Sequence, residues 1–163
     1  RRFTMNIWTC KRWEKYYSDN NVRMGIRLRI EKTVTFEVRR ALKEFTAWMR
    51  KKYSFPIRIP VYVKSSERIK ARDGDIVCAT FFEPDDKYVE PYIKIATGDY
   101  FELERTDGRD NALAAILGSL IHELTHYYQW INCINLTEVG RERQANAYTG
   151  IILGEYAKTR EHP

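Results

Sequence analysis

The feature that most constrains this chain is a pair of histidines four residues apart, His122 and His126, with Glu123 directly after the first. On a helix, residues i and i+4 lie on one face about one turn apart, so two imidazoles can bind one metal ion. Glu123 projects beside them, where its carboxylate can reach a water molecule near the metal without being a ligand. The spacing therefore predicts a metal site on a helix.

The surrounding sequence supports this helix, which we predict over residues 111–130 with Asp110 as its N-cap. Apolar residues recur at helical spacing and form one stripe: Leu113, Ile116, Leu117, Leu120, Ile121 and Leu124. The two histidines fall on nearly the opposite face, beside the small residues Ala115, Gly118 and Ser119. This strip of small residues leaves room for a cleft or for a second helix that approaches closely.

A third ligand is needed, because three protein ligands are typical of a catalytic zinc site. His162 is the remaining histidine, but it lies near the end of the chain with no helical context. A following helix, predicted at about residues 137–156, offers Glu138 and Glu142. We favour Glu142, because its helix face is small and polar and because Asn146, one turn on, can support a ligand histidine. Glu138 remains the alternative, although the helix dipole already explains a carboxylate at the helix start.

The rest of the chain predicts a single α+β domain over residues 1–163. An amphipathic helix is expected from about residue 33 to residue 53, and residues 97–109 are expected to form a loop. Alternating or short apolar runs predict strands at residues 22–30, 57–63, 76–82 and 92–96. Pro60 lies inside the second of these strands and favours a sheet edge or a bulge.

Residues 1–30 form a basic, aromatic extension. Residues 1–52 hold 15 Lys/Arg against 5 Asp/Glu, whereas residues 53–163 hold 13 against 17. The first 20 residues interleave these charges with Trp8, Trp13, Tyr16 and Tyr17. Such a mixture can bind nucleic acid, but the aromatic rings can equally pack on the domain while the charges stay solvated. We favour packing, because the chain carries no recognised nucleic-acid motif.

The cysteines and the lengths of the apolar runs indicate the cellular compartment. Cys10, Cys78 and Cys133 are an odd number without C-x-x-C spacing, which suits a reducing compartment. No apolar run approaches the roughly 18–20 residues that span a bilayer, and the first residues contain no apolar signal core. We therefore expect a cytoplasmic protein without membrane insertion.

Two segments together resemble a known family. His122-Glu123-Leu124-Thr125-His126, followed by Glu142-Arg143-Gln144-Ala145-Asn146-Ala147-Tyr148, is similar to the small gluzincin metallopeptidases of the ImmA/IrrE-like group and related minimal zincins. The likeness covers residues 110–157 closely and residues 31–96 only in architecture. It implies that His122, His126 and Glu142 bind one Zn²⁺ per chain and that Glu123 is the general base.

The resemblance also implies a fold and a way of binding substrate. The expected zincin-like fold has a small mixed or antiparallel sheet, an N-terminal backing helix, an active-site helix and a C-terminal helix that carries the third ligand. In this family an edge strand pairs with an extended peptide, and Tyr92, Ile93, Lys94 and Ile95 fall where that strand would be. Tyr148 is a candidate transition-state stabiliser, with Tyr156, Arg141 and His162 as unranked alternatives.

The implied activity is zinc-dependent hydrolysis of peptide bonds in a protein or peptide substrate. A nucleic-acid-associated protease resembling SprT-like enzymes is a second hypothesis, with the basic N-terminal region as its docking surface. The SprT-like pattern normally supplies a third histidine, whereas this chain offers a glutamate. A zinc-stabilised binding module without catalysis is a third hypothesis, although Glu123 would then have no function.

Overall fold

The computed structural model describes residues 5–17 and 23–163. These residues form a mixed α+β fold with a small mixed sheet and four α-helices. The strands are β1 (Ile26–Ile30), β2 (Ile59–Lys64), β3 (Ile69–Lys70), β4 (Ile76–Val77), β5 (Ala79–Phe82) and β6 (Tyr92–Ala96). The helices are α1 (Phe36–Lys52), α2 (Tyr100–Asp107), α3 (Arg109–Ile131) and α4 (Glu138–Ala157), and a short 3-10 helix covers Arg12–Lys15.

The main sheet has the strand order β1-β2-β6-β5, and β3 pairs with β4 in a separate hairpin. β1, β2 and β6 run parallel, whereas β5 is antiparallel to β6. The register aligns Leu28, Val61, Ile93 and Phe81 in one row across the four strands. These residues, and every second residue along each strand from them, form the inner face of the sheet. This face packs against the helices in the core.

The predicted strand at residues 92–96 is confirmed as β6, but the prediction that it is a substrate-binding edge is wrong. β6 is hydrogen-bonded to β2 on one side and to β5 on the other, so Tyr92, Ile93, Lys94 and Ile95 have no free backbone edge. β5 is the edge strand on that side of the sheet. Pro60 also lies in an interior strand, β2, where it is tolerated because pairing with β6 begins only at Val61.

The predicted apolar faces of α1 and α3 are buried, and the structure contains one helix, α2, that the sequence did not predict. α1 buries Val38, Leu42 and Phe45, and α3 buries its whole predicted apolar stripe. Residues 97–109, predicted as a loop, instead contain α2, whose only buried residue is Tyr100. Gly108, at a φ of 88°, precedes α3, so Asp110 lies in the first turn and is not the N-cap. No helix in the described ranges is long and apolar enough to cross a bilayer.

α3 and α4 pack closely along the strip of small residues. A Cβ atom added at Gly118 would lie 3.2 Å from Thr149 Cγ2 of α4, which is tighter than most side-chain contacts. The turn between the helices contains Cys133 at a φ of 51°. The small residues near the histidines therefore allow α4 to lie against α3, as the sequence indicated.

The N-terminal segment is part of the core. Trp8 is 2% exposed, and its Nε1–H donates a 3.0 Å hydrogen bond to Thr125 Oγ1 on α3. Ile7 is fully buried, and Trp13 packs against the core from a half-buried position. The interpretation that these aromatic residues pack on the domain is confirmed for Trp8 and Trp13. The strand predicted from residue 22 begins at Ile26, and residues 18–22 lie outside the described residues.

Candidate metal centre

The two histidines and Glu142 converge on one point between α3 and α4. His122 Nε2 lies 3.1 Å from Glu142 Oε2, and His126 Nε2 lies 2.8 Å from Glu142 Oε1. One potential ligand atom from each residue lies within 4.8 Å of the others, so the group could hold one metal ion. The short turn after α3 places the α4 carboxylate directly across from both imidazoles. Among the described residues, Glu142 and not Glu138 belongs to this group.

Gln129 orients the imidazole of His126. Its Nδ1 lies 2.8 Å from Gln129 Oε1, and burial lowers the pKa of the His126 imidazole. The Gln129 amide is oriented by its other end, since Nε2 donates to the Arg141 carbonyl oxygen at 3.1 Å. An N–H at Nδ1 would donate to the Gln129 oxygen. The ring orientation directs His126 Nε2 at Glu142 Oε1, as binding of one metal ion by both residues requires.

Glu123 lies beside the group without belonging to it. Its side chain is buried, with 8% exposure, and the backbone amide of Phe81 in β5 donates a hydrogen bond to its carboxylate. Burial raises the pKa of Glu123 to about 8, and the nearby Glu142 carboxylate acts in the same direction. The Phe81 hydrogen bond opposes this rise. A positive charge at the histidines would likewise favour the ionised form, which a general base requires.

The group opens into a cleft between β5, α3 and α4. A cavity of about 580 Å³ is lined by His122, Glu123, His126 and Glu142 together with Ala79, Thr80 and Phe81 of β5. Glu142 has a side-chain exposure of 54%, so the group is accessible to solvent. Catalytic metal sites keep an open coordination position, whereas structural sites are closed by protein ligands. The solvent accessibility of this group is that of a metal site with an open coordination position.

The edge of β5 that faces away from β6 carries backbone groups that are not used in the sheet. The Ala96 amide donates to the Cys78 carbonyl oxygen at 2.8 Å. Because antiparallel bonding alternates along a strand, Ala79 and Phe81 direct their backbone groups away from β6. These residues line the cleft, so β5, and not β6, offers an extended backbone beside the metal-binding group.

A second cavity of about 590 Å³ continues from the cleft on the other side of His122. Its walls are mostly small or apolar: Cys78, Ala79, Ala114, Ala115, Gly118 and Leu153. The cavity around the metal group instead includes Asp73, Glu83 and Glu138, with Arg141 paired to Glu83 at 3.2 Å. The two sides of the cleft therefore differ in charge and in side-chain size.

Several sequence-predicted residues lie elsewhere. Asn146 is exposed and lines the second cavity, but in the described structure it has no hydrogen bond to either histidine, because Gln129 occupies that role. Tyr148 is also displaced from its predicted role, since its hydroxyl accepts from the Ile7 amide at 3.1 Å and does not line the cleft.

Of the other candidates for transition-state stabilisation, His162 and Tyr156 lie outside the cleft and Arg141 lines it. The His162 imidazole pairs with Asp110 at 2.7 Å, and the Tyr156 hydroxyl contacts Arg160. Both contacts lie outside the cleft. Arg141 is the candidate that lines the cleft beside His122, Glu123 and His126.

Gln129 and the Phe81 amide are the site groups that sequence reasoning missed. Gln129 lies three residues after His126 on the same helix, so the helical spacing carried a usable signal. The Phe81 amide carried none, because a backbone donor is independent of residue type. The strand that lies against α3 is set by the strand order of the sheet, which the local sequence does not show.

Comparison with protein-family models, with curated proteins and with solved structures finds no match to this chain. The function is therefore inferred from the geometry of the site.

Proposed function

We propose that this protein is a zinc-dependent peptidase of the gluzincin type. His122, His126 and Glu142 would hold one Zn²⁺ per chain, and Glu123 would be the general base. The observation that carries the proposal is the convergence of these three ligands in an open cleft, with a buried carboxylate and a free strand edge beside them. The overall arrangement would be zincin-like.

The donor set suits zinc. Two imidazole nitrogens and one carboxylate are a known ligand set of catalytic zinc, and the Gln129 contact would orient one imidazole for binding. A Zn²⁺ ion held there would act as a Lewis acid that polarises a carbonyl group and makes water acidic near neutral pH.

The chain's own residues would then handle the proton. Glu123 would accept a proton on its carboxylate from the attacking water and deliver it to the nitrogen of the leaving amine as the C–N bond breaks. The Phe81 amide would hold that carboxylate in position. Arg141, at the wall of the cleft, is the candidate to stabilise negative charge that develops on the scissile carbonyl oxygen.

The substrate would bind as an additional strand along β5. An extended peptide could pair with the amide and carbonyl groups of Ala79 and with the Phe81 carbonyl group, which do not bond to β6. The acidic residues Asp73, Glu83 and Glu138 favour a basic side chain on one side of the scissile bond. The cavity of small and apolar residues favours a small or apolar side chain on the other side.

The decisive experiment combines metal analysis with cleavage assays on a peptide library. We expect the wild type to bind one zinc and cleave, Glu142→Ala to lose most of its zinc, and Glu123→Gln to retain zinc. Loss of a general base should lower the cleavage rate of Glu123→Gln about 10²–10⁴-fold. Cleavage by Glu123→Gln at the wild-type rate would contradict the mechanism.

The same experiment addresses the other hypotheses. A zinc-stabilised binding module would bind zinc in the wild type but cleave no peptide in the library. For a SprT-like protease, neither tryptophan of the N-terminal segment offers an open stacking surface, because Trp8 is buried and Trp13 is half-buried, whereas Tyr16 is 53% exposed. A cytoplasmic location remains a prediction from the three cysteines, all of which are free.

A further inference from the structure

The outer face of the main sheet, opposite the helices and the core, has an unusual composition. Its residues alternate with the buried ones along each strand, and the register aligns Arg29, Tyr62, Lys94 and Thr80 in one row. Continuing the same register places Arg27 and Pro60 in a second row with Tyr92 and Phe82. We call this surface the outer face.

The outer face carries positive charge that no acid among the described residues neutralises. Its cations are Arg27, Arg29, Lys64 and Lys94, and the strand positions of this face contain no carboxylate. Among residues 5–17 and 23–163, no salt bridge joins any of these four side chains to an acid. Nearby Glu90 is already paired with Arg58 at 3.2 Å. The face therefore complements a polyanion.

Three aromatic rings lie side by side among these cations. The Tyr92 ring centroid is 6.0 Å from that of Tyr62 and 5.0 Å from that of Phe82. Lys94 Nζ lies 5.3 Å from the Tyr92 centroid, and Arg72 lies 4.4 Å from the Phe82 centroid. The rings are half-buried, so the sheet holds them in place while part of each remains accessible. These rings form an aromatic platform with cationic side chains beside it.

We propose that the outer face binds single-stranded nucleic acid. Exposed bases would stack on Tyr62, Tyr92 and Phe82, while the lysines and arginines would pair with phosphates. A duplex hides its bases in the helical stack, and an acidic protein would gain little from the aromatic rings. A single strand can use both the rings, by base stacking, and the cations, by phosphate pairing. The outer face meets the cleft at Thr80, but its cations and aromatic rings do not line the cleft, so the proposal does not depend on peptidase activity.

The test is fluorescence anisotropy of labelled single-stranded DNA and RNA oligonucleotides of about 12 nucleotides, within the usual size of such sites. The whole chain is titrated at several salt concentrations. We expect log affinity to fall linearly with log salt, and Arg29→Glu/Lys94→Glu to reduce the slope by about 1.4 for two lost phosphate contacts. A duplex of the same sequence should bind more weakly than the single strand, and the DNA and RNA arms identify the preferred strand.

Two further variants separate a local site from general charge. Lys43→Glu/Lys51→Glu changes the net charge equally but on exposed positions of α1, and it should leave affinity within about threefold. Tyr62→Leu/Tyr92→Leu keeps apolar bulk but removes stacking, and it should weaken binding about tenfold or more. Circular dichroism and thermal denaturation of each variant check that the fold is retained.

Three results of these titrations would overturn the proposal. They are absence of binding by the wild type, equal loss in the outer-face and α1 charge variants, and unchanged affinity of a folded tyrosine variant. Competition by polyglutamate as effective as that by the oligonucleotide would also overturn it, because the face would then be a non-specific anion-binding surface. If the tyrosine variant does not fold, Lys94→Gln compared with Lys43→Gln provides the same local test.

Discussion

Gln129 links the two helices of the site through a single amide group. Its oxygen faces His126 Nδ1, and its nitrogen donates to the Arg141 carbonyl oxygen and, at 2.9 Å, to Gln144 Oε1. The side chain is almost fully buried, at 2% exposure. It therefore fixes both the imidazole orientation and the position of α4 relative to α3.

We predict that Gln129→Ala lowers zinc affinity about 10–100-fold, the usual effect of removing a group that orients a metal ligand. Competition with a zinc chelator measures this affinity. Gln129→Glu keeps an acceptor for Nδ1 and should restore most of it. Asn146→Ala is the matched control, because Asn146 has no hydrogen bond to the histidines in the described structure. Equal losses in the Gln129→Ala and Asn146→Ala variants would contradict this assignment.

At the scale of elements, β5 is the strand on which substrate binding depends. We predict that Ala79→Pro, which removes a backbone donor from the free edge, lowers kcat/KM for peptides about 3–10-fold, as expected for one lost hydrogen bond. Thermal denaturation and zinc content should remain close to the wild type. Peptides N-methylated at successive positions provide the complementary measurement.

If the substrate pairs with β5, methylation should reduce cleavage only at alternate positions, because successive backbone amides of a strand point in opposite directions. A uniform effect of methylation at every position would argue against strand pairing. A uniform methylation effect together with normal cleavage by Ala79→Pro would show that substrate does not bind along β5.

α2 is attached to the fold chiefly through Tyr100, which is 1% exposed. Burial raises the pKa of Tyr100 to about 12, and a 2.8 Å hydrogen bond to Glu104 adds to the rise. An unfolded tyrosine ionises near pH 10, so this contribution to stability is complete below pH 10 and is lost as the pH rises towards 12.

We therefore predict that the free energy of unfolding falls more steeply above pH 10 in the wild type than in Tyr100→Phe. The difference in slope should approach about 1.4 kcal/mol per pH unit, the contribution of one proton. Urea denaturation between pH 9 and 12 measures both slopes. Parallel curves for the two proteins would show that Tyr100 does not carry this linkage.

The sequence predicted the elements that have a strong period and missed those that depend on tertiary placement. α1, α3 and β6 follow clear apolar patterns, and the two histidines follow from helical spacing. Glu142 is favoured because the predicted face of α4 is small and polar. α2 was missed because a single buried tyrosine among acids leaves no stripe. The edge strand was misassigned because strand order is set by how the sheet assembles, which the local pattern at residues 92–96 does not encode.

At the scale of the whole molecule, the N-terminal segment supports the helix that carries the site. Trp8 contacts Thr125 within the motif, and the ring centroid of Tyr128 lies 4.9 Å from that of Trp8. We predict that Trp8→Ala costs about 3–5 kcal/mol in the free energy of unfolding, the usual cost of deleting a buried large aromatic residue.

Urea denaturation measures this cost. Tyr16→Ala is the control in the same segment, because Tyr16 is 53% exposed and its loss should change stability by no more than about 0.5 kcal/mol. A similar cost for both substitutions would mean that the segment contributes through general attachment and not through the indole.

The bond between Trp8 and Thr125 joins positions 117 residues apart, and that between Ile7 and Tyr148 joins positions 141 apart. During synthesis, the early partner of each pair leaves the ribosome long before its late partner exists. Domains stabilised by such distant contacts fold slowly and expose apolar side chains until the last partners arrive. The indole of Trp8 therefore has no native hydrogen-bond partner until the helix that carries the histidines has been synthesised.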